Sequence, residues 1–333
     1  MPLQKDTTLM EQPEIVDFVP TQDPQEVKKE ILRELLAEKK SIPSKFFYDS
    51  KGSALFEEIT RLKEYYPTSS EKYIIRKDGK SIFREAKPGS ITELGSGDAS
   101  KISIALSRLA QNGQKQVRYQ AVDISRSAVE NSIEALKTTF PAIKTRGIIM
   151  DFTNHLDLLQ PADDELFCFF GSTLGNFSRH EAVRFLCNLR NVMKPDNHLL
   201  LGLDMVKNRD ILERAYNDAS GITAAFNFNI LNHINRIIQS DFRKQDFNHL
   251  AFYNDKKERI EMHLQAGHNI QVNSPHFDQT LNIHKGERIL TEYSHKYSEK
   301  RIERMLNSAG FSLKKSYTDA NGYFRLLLLV PSE

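Results

Sequence analysis

The feature that most restricts how this chain can fold is an alternation of strand-like and helix-like segments between residues 90 and 205, with a helix missing only between Met150 and Leu166. Ser90 to Leu94, Val117 to Val122, Thr145 to Met150, Leu166 to Phe170 and His198 to Met205 read as strands. Ala99 to Gln111, Ser127 to Thr139 and a segment running from Ser178 to Met193 read as helices between them. Leu166 to Phe170 is apolar throughout, as a strand must be when both faces of its sheet are covered. Ser178 and Glu181 stand in capping-box spacing, and Pro195 stops the helix that they open. A β-α-β series of this kind specifies a doubly wound α/β sheet with right-handed crossovers.

The alternation breaks at about Arg209. A long Asn-rich helical stretch, Ile211 to Ile238, leads into period-two segments around Phe252, Ile260 to Gln265, Gln279 to His284 and Arg288 to Tyr297. Such a block inside an α/β chain reads as an insertion over the ligand edge of the sheet. A helix from Ser298 to Ala309 follows. Two strands then close the chain, Ser312 to Thr318 and Tyr323 to Val330, joined through Asn321-Gly322, a hairpin dipeptide. A terminal antiparallel hairpin on a parallel sheet resembles the ending of class I (Rossmann-like) methyltransferases. Ahead of the alternation, Pro24 to Lys40 is an amphipathic helix, and Pro43 to Pro67 is loop-rich and dense in aromatics. Residues 1–23 lack periodicity and read as a mobile tail. The expected division is 24–70 with 207–295 as a substrate-binding domain, and 71–206 with 296–333 as the cofactor-binding domain.

Composition excludes several classes. A net charge of +2 over 333 residues gives no electrostatic footprint for nucleic acid. No apolar run approaches the ~20 residues of a membrane span, and the polar, acid-bearing start is unlike a signal or transit peptide. Cys168 and Cys187 supply neither a disulfide framework nor a metal site. The reading is a cytoplasmic, monomeric protein acting on a small molecule, with no membrane, nucleic-acid or metal partner.

The first strand runs into Glu93-Leu94-Gly95-Ser96-Gly97-Asp98, a turn where absent Cβ atoms let a ligand approach the backbone. Ser100 replaces the third glycine of the dinucleotide fingerprint, which argues against a pyrophosphate and for S-adenosylmethionine. Asp123 ends the second strand, where a carboxylate can accept both ribose hydroxyls; it equally suits a helix cap. Asp151-Phe152 ends the third, where the carboxylate can take an adenine amine and the ring can lie on the base; a plain strand-end turn is the other reading. Gly79-Lys80-Ser81 mimics the tail of a phosphate loop, but Ile74 occupies the required first glycine position. The fourth strand ends in Gly171-Ser172-Thr173-Leu174-Gly175-Asn176-Phe177, where acceptor-orienting groups belong; Asn176 can be such a group or a loop asparagine. Glu292 and Ser294, two apart in a strand, leave the same face. Glu292 can take an imidazole N–H, while Ser294 can donate or accept at the other ring nitrogen; exposed strand polarity is their alternative.

The chain resembles the histidine Nα-methyltransferase family of ergothioneine biosynthesis, whose members trimethylate L-histidine to hercynine. The resemblance runs from about Pro43 to Val330. It is carried by Phe46-Phe47-Tyr48-Asp49-Ser50-Lys51-Gly52-Ser53-x-Leu55-Phe56, Glu64-Tyr65-Tyr66-Pro67-Thr68, the two glycine-bearing turns, Ala215-Tyr216-Asn217-Asp218, Thr223-Ala224-Ala225-Phe226-Asn227, Glu261-Met262-His263-Leu264 and Thr291-Glu292-Tyr293-Ser294-x-Lys296-Tyr297. It implies cofactor contacts at Tyr48, Gly95, Lys101, Asp123, Asp151 and Phe152. It implies histidine contacts at Tyr65, Asn176, Tyr216, Met262, Glu292 and Ser294, with Asn176 and Tyr65 orienting the reacting amine. Pattern alone reads Met262 as core and Lys101 as a surface lysine. No obligatory base stands out: Tyr48, Tyr65 and proton loss to water are all open. The alternatives are another free amino acid as acceptor, such as tyrosine, tryptophan or a derivative, or a nicotinamide-dependent oxidoreductase.

Overall fold

A computed structural model of the chain describes residues 14–18, 23–110 and 117–332. Most of the segment read as a mobile tail, and Gln111 of one expected helix, lie outside these residues. Glu14–Asp17 corrects that reading: it is a strand, β1, pairing in parallel with the sheet's edge. Helix α1 (Pro24–Leu35) starts at an Asp23 side-chain cap and is shorter than the expected segment. The stretch from Pro43 to Pro67 is more ordered than its aromatics suggest. Ser44–Phe47 is a turn of 3-10 helix and Ser50–Ile59 is helix α2, capped by Asp49, which accepts from the Gly52 N–H at 2.7 Å. Helix α3 (Tyr66–Ala86) was not apparent in the sequence, because its polar start hides the stripe Ile74, Ile75, Ile82 and Phe83 that it buries.

The alternating region follows its pattern: β2 (Ser90–Leu94), α4 (Ser100–Ala110), β3 (Arg118–Asp123), α5 (Arg126–Thr139), β4 (Lys144–Ile149), β5 (Glu165–Phe169), α6 (Arg179–Val192) and β6 (His198–Asp204). Both halves of the Ser178/Glu181 capping box form at the start of α6. The long helical stretch after residue 209 is two helices, α7 (Arg209–Arg214) and α8 (Ile222–Ile238). The Asp218 carboxylate breaks the run by accepting from the N–H groups of Ile222 and Thr223 at 2.9 and 2.8 Å. This offers the backbone an alternative to continued helix and leaves Tyr216 at the break.

Strands β7 (Phe247–Asn254) and β8 (Arg259–Ala266) precede a small hairpin of β9 (Ile270–Val272) and β10 (Leu281–Ile283). Strand β11 (Arg288–His295), α9 (Glu299–Ala309), β12 (Phe311–Thr318) and β13 (Phe324–Pro331) complete the chain. The main sheet has the order β1-β4-β3-β2-β5-β6-β13-β12, with β13 antiparallel to both of its neighbours and the rest of the interior parallel. This is the class I methyltransferase arrangement, with its order reversing between β3 and β5 around β2. Ligands bind beyond the carboxyl ends of strands at such a point.

The described residues form three apolar cores. One lies under α3, α4 and α5 on one sheet face, and a second under α6 and α9 on the other. The third joins α1, α2 and α8 to the antiparallel sheet β11-β8-β7. This last core carries Phe46, Phe47, Tyr216 and Phe226, so the aromatic N-terminal stretch and the insertion bury one another. A backbone splice joins it to the main sheet. Past β11, Tyr297 N–H donates to the Asp204 carbonyl at 2.9 Å, and Val206 N–H donates to the Tyr297 carbonyl at 2.9 Å.

Candidate functional site

At the end of β2 the chain turns through Gly95 at φ +78°, a left-handed conformation that penalises any Cβ. The Phe152 ring stands over this turn, 4.0 Å from where a Cβ on Gly95 would be, and its edge packs on Phe169 and Phe185. Asp123 faces the same turn. Burial raises its carboxyl above the ordinary range, against the backbone N–H groups of Ser125, Gly97, Ile124 and Ser96. Asp151 accepts from Thr153 N–H at 3.0 Å and Asn154 Nδ2 at 2.8 Å, which fixes the loop carrying Phe152. Lys101 is not a solvated surface lysine. Its ammonium is 2.7 Å from the fully buried Glu71 carboxylate, which also accepts from Gly171 N–H at 2.8 Å. Glu71 therefore ties the cofactor edge to the loop after β5. The buried Ser96 hydroxyl, inside the glycine turn, has no hydrogen-bond partner. A buried hydroxyl left unpaired is costly, so the turn suits a ligand that supplies a polar atom there.

Beyond that loop lies a small cavity. Tyr48, Phe56, Tyr65 and Tyr216 form an aromatic wall, with edge-to-face contacts between Tyr48 and Phe56, Phe56 and Tyr65, and Tyr65 and Tyr216. Asn176, Glu292, Ser294, Lys296 and Asp204 supply polar groups. Asn176 closes a 3-10 turn, Thr173–Asn176, that is pressed on β11: a Cβ on Gly175 would lie 2.8 Å from the His295 carbonyl oxygen. Glu292 and Ser294 do share a face. A bulge between Leu290 and Glu292 sets their register, placing Glu292 opposite Met262 of β8. Met262 itself lies in the core and does not line the cavity. Tyr216 does line it, but its hydroxyl donates to Ser294 Oγ at 2.7 Å.

Burial pushes the Glu292 carboxyl up to about 7, with Lys296 opposing. Burial likewise pushes the Tyr48, Tyr65 and Tyr216 hydroxyls well above their usual range, so these groups stay protonated at neutral pH.

Sequence reasoning passed over one cluster. The Lys296 ammonium is 2.8 Å from Asp204 Oδ2, 2.8 Å from Ser294 Oγ and 3.2 Å from Tyr216 Oη. Asp204 also accepts from the Tyr66 hydroxyl at 2.9 and 2.8 Å and pairs with Lys207. Burial alone would raise the Asp204 carboxyl; the two ammonium groups outweigh it and hold it low. Burial lowers Lys207 to about 8. A signal existed for Lys296, since 292, 294 and 296 continue one period-two face. Asp204 gave none beyond ending an apolar strand.

A family model described as a histidine-specific, SAM-dependent methyltransferase matches residues 27–331. This chain belongs to that family. Its relatives in the histidine-specific methyltransferase family include the histidine N-alpha-methyltransferase of Mycobacterium tuberculosis, 36% identical over 302 residues, covering 91% of this chain and 94% of the relative. Ergothioneine biosynthesis protein 1 of Neurospora crassa is 30% identical over 293 residues, 85% of this chain but 32% of that longer protein. The 4-dimethylallyltryptophan N-methyltransferase easF of Arthroderma benhamiae is 27% identical, covering 92% of this chain and 94% of that one. Among solved structures, magnesium protoporphyrin IX methyltransferase from Synechocystis aligns over 87% of this chain and 98% of its own at 14% identity, with a TM-score of 0.47. Membership makes this chain an S-adenosylmethionine-dependent methyltransferase and removes the nicotinamide alternative. Among the described residues no helix is long and apolar enough to cross a membrane.

Proposed function

We propose that this enzyme methylates the α-amine of free L-histidine, up to the trimethylated betaine hercynine, as in ergothioneine biosynthesis. The observation that carries this reading is the common cavity: Glu292 and Ser294, a pair suited to an imidazole, share its wall with Asn176 and Tyr65. Residues 24–70 and 207–295 act as the substrate-binding domain, and 71–206 with 296–333 as the cofactor-binding domain, in a cytoplasmic monomer.

S-adenosylmethionine, when bound, supplies an electrophilic methyl group. Gly95, Asp123, Asp151 and Phe152 hold it at the carboxyl edge of the sheet, with Tyr48 and Lys101 beside it. Asn176 and Tyr65 orient the amino acid's backbone end, while Glu292 and Ser294 hold its ring and Tyr216 braces Ser294. Orientation of this kind can lower a barrier by as much as ~7–11 kcal/mol. The cavity tyrosines are held protonated, which makes them poor bases. The amine therefore loses its proton to water before transfer, a necessary step because an α-amine of pKa near or above ~8 is mostly protonated at neutral pH. Aromatic faces at Tyr48, Phe56 and Tyr65 tolerate the growing quaternary head. An indole would leave Ser294 facing carbon, and a site with unpaired polar groups rejects such a ligand strongly.

Mass spectrometry of histidine, tryptophan and tyrosine after incubation with enzyme and cofactor tests the reading. Histidine gaining one to three methyl groups is expected. Methylation of another amino acid in its place refutes the substrate.

A further inference from the structure

The hydrogen-bond capacities around Ser294 can be counted to completion. Its oxygen has two acceptor sites and one proton to give. Tyr216 Oη donates to it at 2.7 Å and Lys296 Nζ at 2.8 Å, so both acceptor sites are used. The Lys296 ammonium is engaged with Ser294, Tyr216 and Asp204. Lys296 is held in this orientation by the Asp204 carboxylate and by the splice that lays 296–297 along the end of β6. What remains for the cavity is one proton, that of the Ser294 hydroxyl, beside the Glu292 acceptor.

We propose that Lys296, anchored on Asp204, is a positioning residue that fixes Ser294 as a hydrogen-bond donor, so that the site takes only a neutral imidazole in one tautomer. Building on the histidine reading above, the ring N–H goes to Glu292 and the bare ring nitrogen accepts from Ser294. A doubly protonated ring would set an N–H against the Ser294 proton, donor facing donor. The opposite tautomer would do the same and leave Glu292 facing a lone pair. Lys296 reaches the cavity wall, but its effect on the ring runs through Ser294 and Tyr216.

The direct test is nitrogen NMR of ring-labelled ¹⁵N-histidine bound to the wild-type enzyme with S-adenosylhomocysteine, at a pH of about 6, where the free ring is largely protonated. The expected spectrum has one protonated and one bare ring nitrogen, without averaging. Two protonated nitrogens overturn the proposal while leaving histidine as the ligand. Absence of any bound histidine signal overturns the substrate reading and this inference with it. In Lys296→Met, Asp204 keeps Lys207 and Tyr66 as partners. There the two nitrogens should average or both protonate, and KM for histidine should rise at least tenfold with a smaller change in kcat and none in cofactor affinity. A bound spectrum unchanged by Lys296→Met overturns the assignment to Lys296. Should that variant fail to fold, Ser294→Ala decides: the single-tautomer signature must be lost, and its persistence refutes the role of the hydroxyl.

Discussion

Replacing Glu292 by glutamine should make the ligand-free enzyme more stable and a poorer catalyst, with a pH dependence that reports the cause. The Glu292 carboxyl titrates at an ordinary 4.5 in an unfolded chain and at about 7 in the fold, chiefly because it is buried. A raised value means that the fold favours the protonated form. That contribution is fully present below pH 4.5 and is lost as the pH rises through about 7. At about 1.4 kcal/mol per tenfold change in proton affinity, the ionised carboxylate costs the folded state about 1 kcal/mol at pH 5 and about 3 kcal/mol at pH 8. Glutamine has the same shape and no charge to desolvate. Urea denaturation without ligands should therefore show Glu292→Gln gaining about 2 kcal/mol on wild type between pH 5 and pH 8, less whatever water in the cavity screens. Histidine turnover should fall at least tenfold in the same variant, because a charged hydrogen bond worth about 1.5–3 kcal/mol is replaced by a neutral one. Parallel stability profiles for the two proteins across this range would refute the argument that Glu292 is a desolvated carboxylate kept for its ligand.

Three further outcomes follow from the geometry. Tyr65→Phe should keep measurable kcat, with no loss of a basic limb in the pH–rate profile below about pH 10, because the hydroxyl is held protonated; abolished turnover with intact histidine binding would make Tyr65 the base. Gly175→Ala should cost about 1–3 kcal/mol by overpacking, since its Cβ would meet the His295 carbonyl oxygen at 2.8 Å, and calorimetry should show weakened histidine binding as Asn176 is displaced; unaltered stability would mean that the turn is not pinned to β11. Asp123→Ala should weaken S-adenosylhomocysteine binding by about tenfold or more, and equal affinity by calorimetry would remove Asp123 from the cofactor site.

Much of this architecture was legible before any coordinates, because the signals involved are local. The apolar run at Leu166 to Phe170, the capping pair Ser178 and Glu181, and the Gly95 turn each bring their own backbone consequence, so the parallel sheet and its ligand edge follow from short windows. The period-two spacing of Glu292 and Ser294 put them on one face for the same reason. Helix α3 was not legible, since its apolar stripe begins only after a polar first turn and no side chain caps its start. The break between α7 and α8 depended on Asp218 finding the backbone N–H groups of Ile222 and Thr223, a competition that helical periodicity does not reveal.

What tertiary structure alone decided is the meeting of the ends. Residue types determined that a carboxylate and a hydroxyl would stand together on β11. Asp204 is 92 residues before Lys296, and no pattern in either segment announces the other. The backbone pairing past β6 brings them to 2.8 Å, where the attraction of the ammonium groups outweighs the cost of burying the carboxylate. Burial, too, is a property of the assembled fold: it sets Glu292 near 7 and keeps the cavity tyrosines protonated, and it arises only when the N-terminal aromatics, the insertion and the sheet edge close on one another.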